Sequence, residues 1–386
     1  MHVLFVLWSG DLERGGGSAV AAKNMIESLL KYKDIDIHVV YGVGTEGSLV
    51  NWLAERRIPF TSISGVGFFV WPKCRGLKDL IMYPFTLLRE CIDYIMSVHE
   101  TKRIIKRFKP DIVHVNNSVL YFGVKAADKL NVPVVWHIRE YSDFLFDLIP
   151  TNRCFMKRVQ NHNTISITAD ISRHYGCADP QRHFVVYDGV MSKRDATYIE
   201  KKEDYFLFTG AVTHNKGITD LINAFALYAK KNPKGELWIA GRCNEDTYYN
   251  KLQSILAKNK LNERVKFLGF RDDRYQLMQH ARASIVPSLF EGFGFITVEA
   301  MMNGSLVIGR NSSGTKMIME ATGNSEFLYD NIEELASKME QIISRDSLFY
   351  RDHIIKVQNM ALKKFSIERY GDDVYEVYKK ILKEKR

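Results

Sequence analysis

The chain contains 386 residues, which corresponds to two or three domains at about 100–200 residues each. Hydrophobic residues make up 46% and charged residues 26% of the chain. This composition is typical of a globular protein and excludes a disordered, collagen-like or disulfide-scaffold chain. The formal net charge is +9 at pH 7, so acidic partners such as phosphates, nucleic acid or anionic lipid are favoured.

Apolar runs typical of buried parallel strands alternate with amphipathic stretches typical of helices along the chain. The predicted helices include Ser18–Leu30, Leu77–Phe108 and Leu120–Leu130. The predicted strands of the first half are Val3–Trp8, Ile35–Tyr41, Pro59–Ile63, Ile112–Val115, Pro133–His137, Thr164–Thr168 and Phe184–Tyr187. The alternation stops at residues 188–190 and resumes after Asp204. The predicted strands of the second half are Phe206–Thr209, Glu236–Ala240, Val265–Leu268, Ser284–Pro287 and Leu306–Gly309. Two such series predict an α/β protein with two doubly wound domains, whose ligands lie at the carboxyl ends of the strands.

Residues 366–386 form a last predicted element, a single amphipathic helix. One face of this helix carries Tyr370, Val374, Val377, Tyr378, Ile381 and Leu382, which is the spacing of a helix that buries one side. Lysines and an arginine gather at its C-terminal end, where the helix dipole favours positive charge.

The five cysteines lie apart and form no C-x-x-C pair, so their spacing supports neither a metal site nor a disulfide framework. The apolar run at the N-terminus is too short for a signal peptide, and no stretch approaches the ~18 apolar residues of a membrane span. We therefore expect a cytoplasmic protein, with peripheral binding to the inner face of the cell membrane left open.

Residues 287–301 carry the strongest indication of chemistry. Gly292 and Gly294 allow backbone to approach a ligand closely, and a helix predicted to begin near Phe295 offers free N–H groups to an anion. Glu291 and Glu299, eight positions apart, could hold two hydroxyl-bearing parts of one ligand. The plain alternative is a loop–helix junction whose acidic residue stabilises the helix dipole.

This segment closely resembles the motif of two glutamates separated by seven residues in retaining glycosyltransferases of family four, the glycosyl transferases group 1. Other segments match the family in order and spacing over nearly the whole chain, namely residues 188–190, 210–217, 240–241, 267–270, 311–319 and 365–378. The resemblance implies the GT-B fold, in which two Rossmann-like domains face each other across a cleft. It implies an acceptor-binding domain at 1–190, a nucleotide-sugar-binding domain at 191–365, and a helix at 366–386 that packs back on the first domain.

The resemblance also implies roles for individual residues. Glu291 would contact hydroxyls of the transferred sugar, Glu299 the ribose hydroxyls, and Lys216 the diphosphate as a point charge. Residues 269–271 would lie against the nucleotide base. The implied donor-binding residues are Gly16, Gly17, Gly210, Lys216, Gly269, Phe270, Arg271, Phe293, Gly294, Phe295 and Glu299, and the implied catalytic residues are His137 and Glu291. Lys216 as a solvated lysine at a helix start and Glu299 as a first-turn acid remain the ordinary alternatives.

Ala211 is a departure from the family pattern, because the family usually has an arginine directly after the glycine equivalent to Gly210. The departure removes a bidentate phosphate ligand and puts donor affinity in question. Arg242 or Arg310 could supply a positive charge from another loop.

The first domain offers a glycine-rich loop and two histidines. Residues 15–18 are predicted to open the first helix, with N–H groups facing the donor diphosphate or the acceptor; their consecutive glycines do not fit the G-x-G-x-x-G pattern. His137 takes the place of a family histidine near the transferred sugar, or is a satisfied histidine at a strand end. His114 is expected to cap a buried strand.

Three further patterns bear on metals and partners. Residues 34–36 fit an Asp-x-Asp metal motif, but the fold that the chain resembles works without a bound metal, so we expect no metal and no cofactor besides the nucleotide-sugar co-substrate. The aromatic and basic segment 68–78 and the cluster Lys102, Arg103, Lys106, Arg107 and Lys109 suit an anionic membrane surface or a lipid-linked acceptor, or are a solvated face. We expect no nucleic-acid partner, because no reading motif is present.

The predicted function is transfer of a sugar from a nucleotide-diphosphate donor, with UDP as first choice, to a hydroxyl of a glycan or lipid-linked glycan. The transfer would retain the anomeric configuration and serve bacterial surface polysaccharide synthesis. Two alternatives stay open: a nucleotide-sugar epimerase of similar shape that needs no acceptor, and a non-catalytic sugar-binding relative.

Overall fold

The computed structural model describes residues 1–43, 47–64, 66, 77–142 and 152–384, and the chain divides into two units. Unit 1 comprises Met1–Gly189 and Ile367–Arg386, and unit 2 comprises Val190–Ser366. The sequence places the divisions after residues 190 and 365. The segment 68–78 lies outside the described residues except for its last two, at the start of a helix.

Unit 1 is built on a sheet of seven parallel strands in the order β3-β2-β1-β4-β5-β6-β7. The strands are β1 (His2–Ser9), β2 (Asp36–Val43), β3 (Phe60–Ser62), β4 (Ile112–Val115), β5 (Val134–Ile138), β6 (Asn163–Ser166) and β7 (His183–Val185). Its first helices are α1 (Leu12–Leu29), α2 (Ser48–Glu55), α3 (Leu77–Phe108), α4 (Tyr121–Asp128), α5 (Asn152–Gln160) and α6 (Ala169–His174). The strand order reverses between β1 and β4, so the loops after these two strands lie at the point where such sheets bind ligands.

Unit 2 has the same architecture with six parallel strands in the order β10-β9-β8-β11-β12-β13. The strands are β8 (Glu203–Thr209), β9 (Glu236–Ala240), β10 (Val265–Gly269), β11 (Ala281–Val286), β12 (Val307–Arg310) and β13 (Leu328–Tyr329). The helices are α7 (Ile218–Lys231), α8 (Asp246–Lys258), α9 (Arg274–His280), α10 (Phe295–Met302), α11 (Ser313–Thr322), α12 (Ile332–Ile343) and α13 (Arg351–Phe365). The reversal falls between β8 and β11, which sets the loops after these strands side by side.

The last helix, α14 (Ile367–Glu384), belongs to unit 1. Its apolar face carries Tyr370, Val374 and Tyr378, which are fully buried in the core cluster that also contains Phe5 of β1 and Met25 of α1. The helical spacing of apolar residues in the sequence therefore identified the face that packs.

Two doubly wound, parallel-sheet domains are confirmed, while several element limits differ from prediction. Strand β13 was not predicted, because its two residues carry no alternating or continuous apolar signal. Helix α1 begins at Leu12 rather than at the glycines, since the Asp11 side chain caps it by accepting the Arg14 N–H at 2.8 Å. Gly16, with φ 58° and ψ −152°, then interrupts the helical backbone. Of residues 311–319, only Asn311 and Ser312 lie outside a helix, since α11 begins at Ser313.

Among the described residues, no helix is both long enough and apolar enough to cross a bilayer.

Candidate functional site

The loops after β8 and β11 are joined through their backbones. Gly217 has a positive φ of 69°, and a Cβ there would lie 2.1 Å from the carbonyl oxygen of Pro287, so a glycine is required for this approach. The Leu289 N–H donates to the carbonyl oxygen of Asn215 at 2.9 Å. This contact brings the predicted sugar-binding and diphosphate-binding residues together.

Lys216 and Glu291 form an ion pair at the junction of these loops. The Nζ of Lys216 lies 2.5 Å from Oε1 of Glu291. The two side chains are 26% and 16% exposed, so each is partly shielded from solvent and still reachable by a ligand. The lysine is therefore not the solvated residue of the ordinary alternative, although its partner here is the glutamate.

The loop after β12 completes this group of loops. The Gly314 N–H donates to the carbonyl oxygen of Glu291 at 3.0 Å. A Cβ at Gly314 would lie 2.1 Å from the carbonyl oxygen of Phe293, so a side chain there would push the two loops apart. The Ser312 hydroxyl donates to the carbonyl oxygen of Ser288 at 3.3 Å.

Helix α10 begins directly after these loops. Gly294 is its N-cap residue with φ 104°, and among the described residues no side chain caps this end. The ring of Phe293 is buried against Phe295 and Phe365, so only its backbone is available to a ligand. Free N–H groups at a helix N-terminus together with the dipole favour an anion such as a phosphate.

Glu299 lies in the second turn of α10 and is 8% exposed. Its Oε1 accepts hydrogen bonds from the Tyr275 hydroxyl at 3.0 Å and from Nη2 of Arg274 at 3.2 Å. Burial and the nearby Glu299 carboxylate raise the pKa of Tyr275, so this hydroxyl keeps its proton. Within the described part of the chain, Oε2 of Glu299 has no partner, which leaves one carboxylate oxygen for a ligand hydroxyl.

Arg274 and Tyr275 were missed by the sequence reasoning. Both lie in the first turn of α9, just after residues 269–271, which the sequence had assigned to the nucleotide base. An arginine and a tyrosine at a helix start carry no distinguishing pattern. Only the folded chain shows that they hold Glu299 in place.

The two arginines that could replace the missing one at Ala211 are in different situations. Nη1 of Arg310 lies 2.7 Å from Oδ2 of Asp220, so its charge is already paired. The carbonyl oxygen of Arg242 accepts the Val212 N–H at 2.9 Å, which places Arg242 beside the loop that contains Ala211. The guanidinium of Arg242 stands 4.7 Å from the centre of the Phe270 ring.

The segment predicted to face the base is accessible. Gly269 has φ 66°, and no atom lies within 4 Å of the position of a Cβ there. Phe270 is 50% exposed. The guanidinium of Arg271 pairs with the carboxylate of Asp273 through two hydrogen bonds of 2.7 and 2.5 Å, so the arginine side chain is engaged while the backbone of Gly269 and Phe270 is open.

His137 is the fourth of the five residues of β5, one residue before the strand ends, and it is fully buried. Its Nδ1 is 3.1 Å from Nε2 of His114, and Nδ1 of His114 is 2.7 Å from the Tyr378 hydroxyl. Burial lowers the pKa of both histidines well below 6.5, so both are neutral. His114 thus links two buried groups instead of capping its strand. Within the described residues Nε2 of His137 has no hydrogen-bond partner.

A second buried group in unit 1 was also missed by the sequence reasoning. Arg139 is 6% exposed and donates through Nη1 to both carboxylate oxygens of Asp188, at 2.6 and 2.7 Å. Its Nη2 donates to the Tyr370 hydroxyl at 2.8 Å. These contacts fix the end of β5 and the segment at 188 to α14. Gly16 and Gly17, by contrast, are exposed.

The described residues contain no group of three or more histidines, cysteines and carboxylates that could hold a metal ion. In the Asp-x-Asp segment, Asp34 accepts a hydrogen bond from the Tyr375 hydroxyl at 2.9 Å. Asp36 lies 3.7 Å from Nε2 of His2 at the exposed start of the sheet.

Comparison with known proteins agrees with this arrangement. Residues 191–357, nearly all of unit 2, match the family Glycosyl transferases group 1. The chain is 24% identical over 374 residues to the uncharacterized glycosyltransferase MJ1178 of Methanocaldococcus jannaschii, covering 95% of each chain. It is 30% identical over 158 residues to the O-antigen chain mannosyltransferase RfbU of Salmonella typhimurium, covering 40% of this chain and 42% of RfbU.

The fold is similar to that of solved glycosyltransferase structures. The crystal structure of Anabaena Alr3699/HepE in complex with UDP superposes with a TM-score of 0.74 at 20% identity, covering 98% of this chain and 100% of that one. The family match over unit 2, the relatives along the chain and this fold together support a glycosyltransferase of the GT-B fold.

Proposed function

We propose that the protein transfers a sugar from a nucleoside-diphosphate donor, a UDP-sugar as first choice, to a hydroxyl of a glycan or lipid-linked glycan. The transfer retains the configuration of the anomeric carbon and serves the synthesis of a bacterial surface polysaccharide at the inner face of the cell membrane. The observation that carries the proposal is the Lys216–Glu291 pair beside the open N-terminus of α10, with Glu299 held in the same helix.

The donor lies on unit 2 in this proposal. The open N-terminus of α10 and the Lys216 ammonium provide positive charge for a diphosphate. The free oxygen of Glu299 accepts a hydrogen bond from a ribose hydroxyl, and the exposed backbone at Gly269 and Phe270 borders the base. The UDP complex of HepE supports UDP as the nucleotide to test first.

The proposed roles of Lys216 and Glu291 follow from where charge develops during cleavage of the donor. Cleavage of the bond between sugar and diphosphate leaves positive charge on the anomeric carbon and negative charge on the leaving phosphate. Lys216 and the α10 amides stabilise the phosphate, and Glu291 orients the sugar through its hydroxyls. These groups supply the positive charge themselves, so the proposed reaction does not depend on a divalent metal ion. The role of His137 stays a prediction.

The acceptor class is supported by relatives rather than by geometry. RfbU is described as an O-antigen chain mannosyltransferase, and O-antigen is a surface glycan. We therefore assign the acceptor to the same chemical class, and we assign its binding to unit 1, where Gly16 and Gly17 are exposed near the start of α1.

Melting-temperature shifts test the donor. UDP, GDP and CDP are compared at concentrations far above their dissociation constants, where a ligand at 100 times its dissociation constant stabilises the folded protein by about 2.7 kcal/mol. We expect the largest shift with UDP and none with uridine, which lacks the diphosphate. The same measurement on a Lys216→Met variant has Lys266→Met as its matched control, because Lys266 is exposed and pairs with Glu236 on the same unit.

Incubation with UDP-sugars and acceptor glycans then tests the reaction, with the anomeric configuration of the product read by NMR. An inverted product contradicts retention, and conversion of the donor to its epimer without acceptor contradicts transfer. Loss of activity in a chelator contradicts metal independence.

A further inference from the structure

Helix α3 exposes a row of large apolar side chains in its first half. The residues and their exposed fractions are Ile81 66%, Phe85 65%, Leu88 60%, Ile92 47% and Ile95 66%. Spacings of three and four residues place them on one face, and at 1.5 Å per residue the row is about 21 Å long. Single exposed apolar residues are ordinary, whereas a contiguous row marks an interaction surface. We refer to these five residues as the apolar stripe.

The same face becomes basic in the second half of the helix. Lys102, Arg103, Lys106 and Arg107 follow the stripe, and a rotation of about 100° per residue puts Arg103 and Lys106 in line with Phe85 and Leu88. No carboxylate of the described residues forms an ion pair with any of these four cations. We refer to the four as the basic segment.

The opposite face of α3 is buried in unit 1. Ser97 and Thr101 are 0% exposed, Ile105 is 2% exposed and Val98 is 6% exposed. Because this side of the helix packs against unit 1, the apolar stripe and the basic segment face away from the unit.

We propose that this outward face of α3 binds the surface of an anionic lipid bilayer. The apolar stripe enters the boundary between headgroups and acyl chains, and the basic segment contacts the headgroup phosphates. The proposal deepens the membrane association named above by locating its surface. Its test measures lipid binding alone, so it holds or fails independently of glycosyl transfer.

Charge complementarity selects the bilayer over a second copy of the chain. A parallel pair of α3 helices would set one basic segment against the other. An antiparallel pair would lay the basic segment of each copy on the apolar stripe of the other, which buries cations without partners. An anionic bilayer offers apolar acyl chains to the apolar stripe and headgroup phosphates to the basic segment.

The cavity next to the basic segment is consistent with this occupant. It has a volume of about 760 Å³ and lies between α3 and the edge strand β3. Arg103 and Arg107 line it together with Glu100, whose carboxylate accepts hydrogen bonds from the N–H and the hydroxyl of Ser64. A headgroup that approaches the basic segment therefore finds two guanidinium groups beside it, while the carboxylate of Glu100 is already held by Ser64.

Sedimentation with vesicles tests the basic segment. We expect the protein to bind vesicles of phosphatidylglycerol and phosphatidylcholine in equal parts far better than phosphatidylcholine alone. The double variant Arg103→Gln, Arg107→Gln should bind about 30-fold more weakly, at about 1 kcal/mol for each cation near the surface. The control Arg173→Gln, Arg194→Gln loses the same charge at exposed positions outside α3 and should bind like the unmodified protein.

The apolar stripe is tested by Phe85→Glu, Ile92→Glu, which should bind the anionic vesicles at least about tenfold more weakly. Its control is Leu348→Glu, Phe349→Glu, which adds the same charge at exposed apolar residues of unit 2. Equal binding to neutral vesicles, or variants and controls that behave alike, would overturn the proposal. A dimer in light scattering that the stripe variant converts to a monomer would also overturn it, in favour of a second copy.

Discussion

Replacing Glu291 with glutamine is expected to tighten the binding of UDP while slowing sugar transfer. The Lys216 ammonium lies 2.5 Å from the Glu291 carboxylate, and in the proposed mechanism it must turn to the donor diphosphate. Glutamine keeps the size of the side chain and removes its charge. Lys216 is then freed for UDP, whereas a donor with its sugar loses the carboxylate that orients it.

The exposures of the two side chains set the size of the effect. At 26% and 16% exposed, the pair is partly solvated, and separating such a pair costs at most about 1 kcal/mol. Glu291→Gln should therefore tighten UDP by up to about fivefold. Lys216→Met removes a charged hydrogen bond worth about 1.5–3 kcal/mol and should weaken UDP by about 10- to 150-fold. The two variants therefore change the affinity for UDP in opposite directions.

Calorimetric titration with UDP measures both variants and the double variant, and Lys266→Met serves as the matched lysine control. UDP is the appropriate ligand because it lacks the sugar. In the double variant, the gain from Glu291→Gln should vanish, since the freed lysine is gone. If Glu291→Gln weakens UDP as strongly as Lys216→Met does, then Glu291 itself contacts the nucleotide and the competition argued here is wrong.

Three further outcomes are expected. Glu299→Gln should mainly raise the KM for the donor with a smaller change in kcat, because a ribose contact is made in both the ground state and the transition state; a drop in kcat alone would reassign this residue. Arg242→Gln should weaken UDP binding more than Arg310→Gln in the same titration, since Gly241, next to Arg242, packs directly against Gly210, and the reverse order would identify Arg310 as the replacement for the missing arginine. Burial holds the pKa of His114 well below 6.5, so below about pH 6.5 the unfolded chain binds a proton that the folded chain excludes, and stability falls with decreasing pH by about 1.4 kcal/mol per pH unit. Urea unfolding between about pH 5 and pH 7 should show a slope that is about 1.4 kcal/mol per pH unit smaller in His114→Gln, while the buried His137 keeps its own contribution; an unchanged slope would contradict the neutral state of His114.

The fold could be predicted because its determinants are local. A buried parallel strand is a continuous apolar run, so Ile112–Val115 and Glu236–Ala240 were identified with their limits as observed. Helix α3 was likewise predicted over Leu77–Phe108. The two-residue strand β13 has no such run. Its pairing with Gly309 and Arg310 depends on the finished sheet and not on its own sequence.

The candidate site could be predicted only in part, since its contacts join distant segments. The sequence identified Lys216 and Glu291 individually, but their pairing depends on the close approach of Gly217 to Pro287. Tyr275 is separated from Glu299 by a helix and a strand, so no spacing rule connects them. The buried Arg139–Asp188 pair joins positions far apart in the chain for the same reason.

Ala211 lies in a loop that is packed closely against the loop of Arg242. A phosphate ligand is missing at this position, yet the charge requirement of a diphosphate belongs to the whole group of loops and not to one residue. A Cβ at Gly241 would lie 1.7 Å from the carbonyl oxygen of Gly210, so the loop of Arg242 is held directly against the loop that contains Ala211. In the proposed donor site, the Arg242 side chain would replace the missing ligand by turning from the Phe270 ring toward the phosphate. The Phe270 contact is one part of what such a move gives up, about 0.5–1 kcal/mol for an exposed cation–π contact, whereas a charged hydrogen bond contributes about 1.5–3 kcal/mol. In the proposed donor site, Arg242 is therefore the first candidate for a relocated cation, and the titration of Arg242→Gln with UDP tests it.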